Sequence, residues 1–114
     1  DWQNGPEKDM QWWRAKGADT FGPLGPVIST DIDPSNFTIQ VLVNGEKTAN
    51  KAHSKDLIFD IPTVIAEISK YVTLDPGDII YSGTPGQTSQ LQPGDVVEVE
   101  IPGIGTLRNP VVSE

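Results

Sequence analysis

The chain has 114 residues, room for one small domain, and carries a net charge of −8 with no cysteine. That charge repels phosphate backbones and anionic bilayers, so nucleic acid and membrane surfaces are excluded as expected partners. The absence of Cys removes disulfides, thiolate metal sites and a cysteine nucleophile. No apolar run approaches the ~20 residues of a membrane span and no signal-peptide pattern opens the chain, so a soluble cytoplasmic protein is expected. Apolar residues make up 36% of the sequence, low for a self-contained globule, which leaves part of the core to be supplied by a neighbour. The chain opens Asp1-Trp2-Gln3, and its one Met is Met10. That start reads as a cut through a longer protein.

In chain order, residues 1–26 hold few regular signals. Asn4-Gly5-Pro6 is a turn, and 9–16 can form one or two helical turns. Gly22-Pro23-Leu24-Gly25-Pro26 then forbids a continuous helix, because each Pro fixes φ and lacks a donor. Phe37, Ile39, Val41 and Val43 alternate with mostly polar neighbours and predict a strand. Asn44-Gly45 follows, the residue pair that a type I′ hairpin turn asks for. Residues 46–52 form the returning strand, mostly polar and so an outer one. Ile61, Val64, Ile65, Ile68 and Val72 recur at helical spacing and predict an amphipathic helix over 61–72, with Asp60 as N-cap and Pro62 in the first turn. Leu74-Asp75-Pro76-Gly77-Asp78-Ile79-Ile80 is echoed by Leu91-Gln92-Pro93-Gly94-Asp95-Val96-Val97. Each is a Pro-Gly turn feeding a β-branched strand. The second strand runs to Ile101, and another starts at Thr106. The predicted class is α+β, mostly β.

Several residues invite a chemical reading. Lys16, between Ala15 and Gly17 in a loop fixed by Gly and Pro, can present a cation to a carboxylate or enolate oxygen; on spacing alone a solvated surface Lys is the commoner case. Ser82-Gly83-Thr84-Pro85-Gly86 follows the apolar run Ile79-Ile80-Tyr81. A hydroxyl there, beside free backbone N–H groups, can hold a carboxylate, or it can be an ST-turn. His53, the only histidine, lies in a polar stretch, where an exposed, unpaired imidazole is the ordinary outcome. Glu98 and Glu100 alternate with core residues and are expected in solvent. Trp12-Trp13 can wall a pocket or an interface, or simply pack.

Taken in order, these strings resemble the fumarylacetoacetate hydrolase family. They are Asp1-Trp2-Gln3, the run from Lys16 through Asp19-Thr20-Phe21-Gly22 to Pro26, the run from Leu74 through Ser82-Gly83-Thr84-Pro85-Gly86, and the run from Leu91 to Asn109. The hairpin at Val43-Asn44-Gly45-Glu46 falls where that family has one. The resemblance implies that residues 1–114 are the C-terminal portion of a single mixed β-roll catalytic domain, completed by an upstream segment or companion chain, usually a homodimer, using Mg²⁺ (or Mn²⁺ or Ca²⁺ in its place). Such enzymes hydrolyse, decarboxylate or isomerise small 2-oxo or 2-hydroxy-dienoic acids through a metal-bound enolate, often in aromatic catabolism. By the same resemblance Lys16 is the catalytic lysine, and Gln3, Gly83 and Thr84 hold substrate. Thr20 lies near the lysine loop, and Glu98 falls where some members orient a histidine base. The family's metal ligands, a Glu-x-Glu pair and an Asp, match nothing in this chain and are expected upstream. The alternative reading is a stand-alone β-rich binding or structural domain without catalysis, which leaves the joint occurrence of the lysine and Gly-Thr-Pro strings unexplained.

Overall fold

The alternating residues after Phe37 become the inner strand of a four-stranded antiparallel sheet. In a computed structural model, which describes residues 5–86 and 88–113, the strands are β1 (Thr38–Val43), β2 (Glu46–His53), β3 (Val96–Ile101) and β4 (Gly105–Pro110). They lie in the order β2-β1-β3-β4. Two helices accompany them, α1 (Trp13–Gly17) and α2 (Ile61–Ile68). The α+β, mostly β class is as the sequence predicts.

Register follows from the hydrophobic pattern. Val41 pairs with Val99, which pairs with Leu107; Val43 pairs with Val97. One face of the sheet therefore carries Ile39, Val41, Val43, Val97, Val99, Ile101 and Leu107. The other carries Gln40, Leu42, Glu98, Glu100 and Arg108. The β1–β2 turn has Asn44 at φ 54° and Gly45 at φ 81°, the double positive φ of a type I′ turn. Asn44 does more than turn the chain. Its Nδ2 donates to Asp95 Oδ1 at 2.8 Å and its Oδ1 accepts from Val96 N–H at 2.9 Å, so the hairpin tip fixes the start of β3.

The echoed turns share one construction. In the first, Asp78 accepts from Asp75 N–H at 2.8 Å, and in the second Asp95 accepts from Gln92 N–H at 2.8 Å. Gly77 and Gly94 hold φ of 106° and 96°, which a type II turn requires at its third position. Their exits differ. The second turn feeds β3, whereas Ile79-Ile80-Tyr81 joins no ladder among the described residues. A strand needs a neighbour for its backbone groups, and no described segment of this chain runs beside that one.

Helix α2 starts as its sequence dictates: Asp60 accepts from Thr63 N–H at 2.8 Å, and Pro62 occupies the first turn. It ends at Ile68, one turn short of the predicted Val72. The Ser69 N–H bonds both Glu67 and Ile65 carbonyls, which tightens the last turn, and 69–72 continue as turns. Its apolar stripe is uncovered: Phe59, Thr63, Val64, Glu67 and Ile68 line an open groove of about 360 Å³.

No apolar side chain among the described residues is fully buried; Ser54, at 8% exposure, is the buried residue, exchanging hydrogen bonds with Phe37 backbone. The accessible surface is 9270 Å², against roughly 6,100 Å² for a compact monomer of this mass. The radius of gyration is 15.4 Å, where a compact chain of this length has about 13 Å. The excess surface, on the order of 3,000 Å², is at least what one partner contributes to a large obligate interface, whose area counts both sides. Ile28, Ile58, Phe59, Tyr71 and Val112 are among the large apolar side chains left in solvent.

Candidate functional site

Two loops carry the predicted site residues, and each is tied to a different edge of the sheet. The first, 16–26, leaves α1. Asp9 caps that helix by accepting from Gln11 and Arg14 N–H groups at 3.0 Å each. Partial desolvation pushes the Asp9 carboxyl up, but the N–H groups of Arg14 and Gln11 outweigh it and hold the acid below its ordinary range. Lys16 lies in the last turn of α1, its N–H bonded to Trp12 carbonyl at 2.9 Å and its side chain exposed. Thr20 follows at φ 70°. A β-branched residue in the left-handed region is strained, and such strain clusters at functional sites. The loop comes to rest on β4: a Cβ on Gly25 would lie 3.8 Å from Leu107 Cδ1, and one on Gly105 would lie 3.2 Å from Pro26 Cγ.

The second loop, 82–86, holds Gly83 at φ 112° and Gly86 at φ 70°. Thr84 between them is exposed and Pro85 half-buried. This loop rests on β2, where a Cβ on Gly86 would come within 3.0 Å of Asn50 Oδ1. The two loops meet at Gly22 and Tyr81: a Cβ on Gly22 would stand 2.8 Å from the Tyr81 hydroxyl. A side chain at position 22 would displace the end of the exposed Tyr81 side chain. The lysine loop thus touches the tyrosine that precedes the Gly-Thr-Pro loop, the one loop anchored on β4 and the other on β2.

Other predicted residues fall elsewhere. Gln3 lies outside the described residues. Glu98 is not a freely solvated carboxylate: its side chain is 21% exposed and faces Arg108 on the neighbouring strand, Oε1 to Nε 3.4 Å. It pairs with Leu42 and Arg108 in the ladder, so its described ionic partner is an arginine and not a histidine. His53 is half-buried and not unpaired, since its Nδ1 accepts from Lys55 N–H at 3.0 Å while Asp56 accepts from His53 N–H, closing a reciprocal cap. Trp12 and Trp13 are 49% and 68% exposed. The α2 groove is lined by none of the predicted site residues.

Tyr81 and Asn50 were not legible as site residues. Tyr81 ends an ordinary apolar run, and its only signal is the glycine that must face it. Asn50 lies in a polar strand, displaced by a bulge that nothing in the residue pattern announces. Its Oδ1 is buried and has no hydrogen-bond partner among the described residues, a state that costs about 1–3 kcal/mol until a donor arrives. No three His, Cys, Asp or Glu side chains among the described residues converge to hold a metal ion.

The family model "Fumarylacetoacetate (FAA) hydrolase C-terminal" matches residues 1–112. The chain belongs to the fumarylacetoacetate hydrolase family. It is 51% identical over 108 residues to uncharacterized protein MJ1656 of Methanocaldococcus jannaschii, covering 95% of this chain and 45% of that one. It is 43% identical over 104 residues to the 4-hydroxyphenylacetate degradation bifunctional isomerase/decarboxylase of Salmonella dublin, covering 89% of this chain and 24% of that protein. Among fumarylacetoacetate hydrolase family structures, it superposes on the 5-carboxymethyl-2-hydroxymuconate delta-isomerase of Mycobacterium smegmatis with a TM-score of 0.90 at 45% identity, over 95% of this chain and 43% of that one. It also matches the maleylpyruvate hydrolase of Sphingobium sp. SYK-6 solved with manganese(II) and pyruvate, with a TM-score of 0.78 at 39% identity, over 83% of this chain and 37% of that one. The chain thus spans less than half the length of these relatives. No helix among the described residues is long and apolar enough to cross a membrane.

Proposed function

We propose that this chain is the C-terminal, substrate-holding part of a metal-dependent enzyme that hydrolyses, decarboxylates or isomerises small 2-oxo or 2-hydroxy-dienoic acids. The observation that carries this reading is the meeting of the lysine loop and the Gly-Thr-Pro loop at Gly22 and Tyr81. It joins the two segments that carry the Lys16 ammonium and the Thr84 hydroxyl, the latter beside positive-φ backbone. The similarity to a hydrolase holding manganese(II) and pyruvate adds the ligand chemistry.

In this reading the Thr84 hydroxyl and Gly83 N–H donate to the substrate carboxylate. The Lys16 ammonium stands where negative charge develops on the 2-oxo oxygen as a C–C or C–H bond breaks, and so stabilises the transition state more than the ground state. Gln3 donates to the same substrate, and Thr20 holds the lysine loop in its strained turn. Glu98 keeps to its ion pair with Arg108. The described residues do not make a metal site, so the ion, Mg²⁺ or Mn²⁺, would be held mainly by residues outside this chain, and it would supply Lewis-acid chemistry. An upstream segment covers the apolar sheet face and α2, and two such protomers pair as a homodimer.

The test is kinetic, in the complete protein that carries this chain. Lys16→Ala lowers kcat by about 10²–10³ with folding intact. Thr84→Val raises KM by about tenfold or more, the loss of a hydrogen bond to a charged group, and leaves kcat nearly unchanged. An unaltered kcat in the first variant removes Lys16 from the reaction; an unaltered KM in the second removes Thr84 from the binding site.

A further inference from the structure

Strand β2 carries a bulge beside the Gly-Thr-Pro loop. Gln40 pairs with Lys51 and Leu42 with Lys47, so Val41 alone faces Thr48, Ala49 and Asn50. Bulges of this kind re-aim side chains and occur next to active sites. This one is stapled by its own polar groups. Thr48 Oγ1 donates to Val41 carbonyl at 2.9 Å and accepts from Asn50 N–H at 3.1 Å. Gln40 Nε2 donates to Thr48 and Val41 carbonyls at 3.1 and 2.8 Å. The stapling fixes the strand on both sides of Asn50, yet the Asn50 carboxamide oxygen is buried with no partner among the described residues. It faces Gly86, whose missing side chain lets the loop approach: a Cβ there would stand 3.0 Å from that oxygen. Gly86 is two residues from Thr84. A buried acceptor held rigidly against a loop that has no ladder of its own is a seat for that loop.

We infer that Asn50 is a positioning residue for Thr84: its carboxamide oxygen accepts from a backbone N–H of the 82–86 loop when a 2-oxo acid is bound, and so sets the angle at which the Thr84 hydroxyl meets the substrate carboxylate. This rests on the reading of Thr84 as a carboxylate contact. It assigns Asn50 no contact with the reacting atoms and no part in holding the metal.

The experiment is calorimetric titration of the complete protein with pyruvate in the presence of manganese(II), and with manganese(II) alone. Asn50→Leu keeps the branched heavy-atom skeleton, at somewhat larger volume, and removes the acceptor together with the amide donor. It weakens pyruvate binding about tenfold, the effect of one hydrogen bond worth about 1.4 kcal/mol, and leaves manganese affinity unchanged. Asn50→Leu combined with Thr84→Val binds pyruvate no more weakly than Thr84→Val alone, because both act through one contact. Should Asn50→Leu fail to fold, Gly86→Ala pushes the loop from the carboxamide and gives the same non-additive loss. Parental pyruvate affinity in the folded Asn50 or Gly86 variant, multiplicative losses in the double variant, or a matching loss of manganese affinity overturns the inference. If Thr84→Val itself leaves pyruvate binding unchanged, the reading of Thr84 fails first, and the role of Asn50 falls with it.

Discussion

Thr20 holds a left-handed backbone with a β-branched side chain, an arrangement that costs on the order of 1–3 kcal/mol. A loop with no task would relax it by substitution. Asn tolerates that φ far better than Thr, because its short polar side chain bonds locally. Thr20→Asn therefore keeps the loop's backbone set and raises the stability of the complete protein by roughly 0.5–1 kcal/mol, read by urea unfolding. A destabilised variant removes the account of this strain. His53 shows the opposite case. Its imidazole nitrogen accepts from Lys55 N–H and caps a turn, a task that asks nothing of catalysis.

At the scale of elements, the β1–β2 turn is a joint as well as a reversal. Asn44 reaches from the hairpin tip to Asp95 and Val96, so the echoed turn and the hairpin stabilise each other. The Asp95 carboxyl lies below its ordinary range, held there first by the Gln92 N–H and then by the Asn44 amide. A lowered folded-state pKa contributes stability that is fully present above the unfolded value, about 3.9, and is lost as pH falls through the folded one. Asn44→Gly keeps the positive φ and removes both side-chain bonds. It lowers Tm by about 2–4 °C at neutral pH, and the difference from the parent narrows as pH drops below about 4. An equal difference at both pH values means that the Asp95 contact contributes nothing.

The hairpin, β3, β4 and the start of α2 were legible because their signals are local: alternation, Asn-Gly, a capping Asp, a Pro in the first helical turn. The end of α2 was not, since Val72 keeps the helical spacing while the chain tightens after Ile68. Nor was the fate of Ile79-Ile80-Tyr81, whose pattern is that of a buried strand but which joins no ladder among the described residues. The β2 bulge escaped for a related reason. Thr48 and Asn50 are ordinary polar strand residues until the register shift turns them. Lys16, Thr20, Gly83 and Thr84 were nameable as candidates from family strings, whereas Tyr81 and Asn50 become candidates only from what stands opposite a glycine.

Over the whole molecule, an apolar sheet face, an open groove along α2 and the absence of any fully buried apolar residue among those described leave a large apolar surface in solvent. Exposed apolar area of this extent marks an interface or drives aggregation. The chemistry is parallel: the described residues include a cation and a hydroxyl-bearing loop but no cluster of metal-binding side chains. Both gaps are filled if the chain works only with the remainder of a fumarylacetoacetate hydrolase fold. The most direct test titrates pyruvate with manganese(II) into the isolated 114-residue chain and into the complete protein, side by side in a calorimeter. Saturable binding by the complete protein and none by the isolated chain is the predicted result. Equal affinity in the two would contradict it, and would mean that these residues form a finished site by themselves.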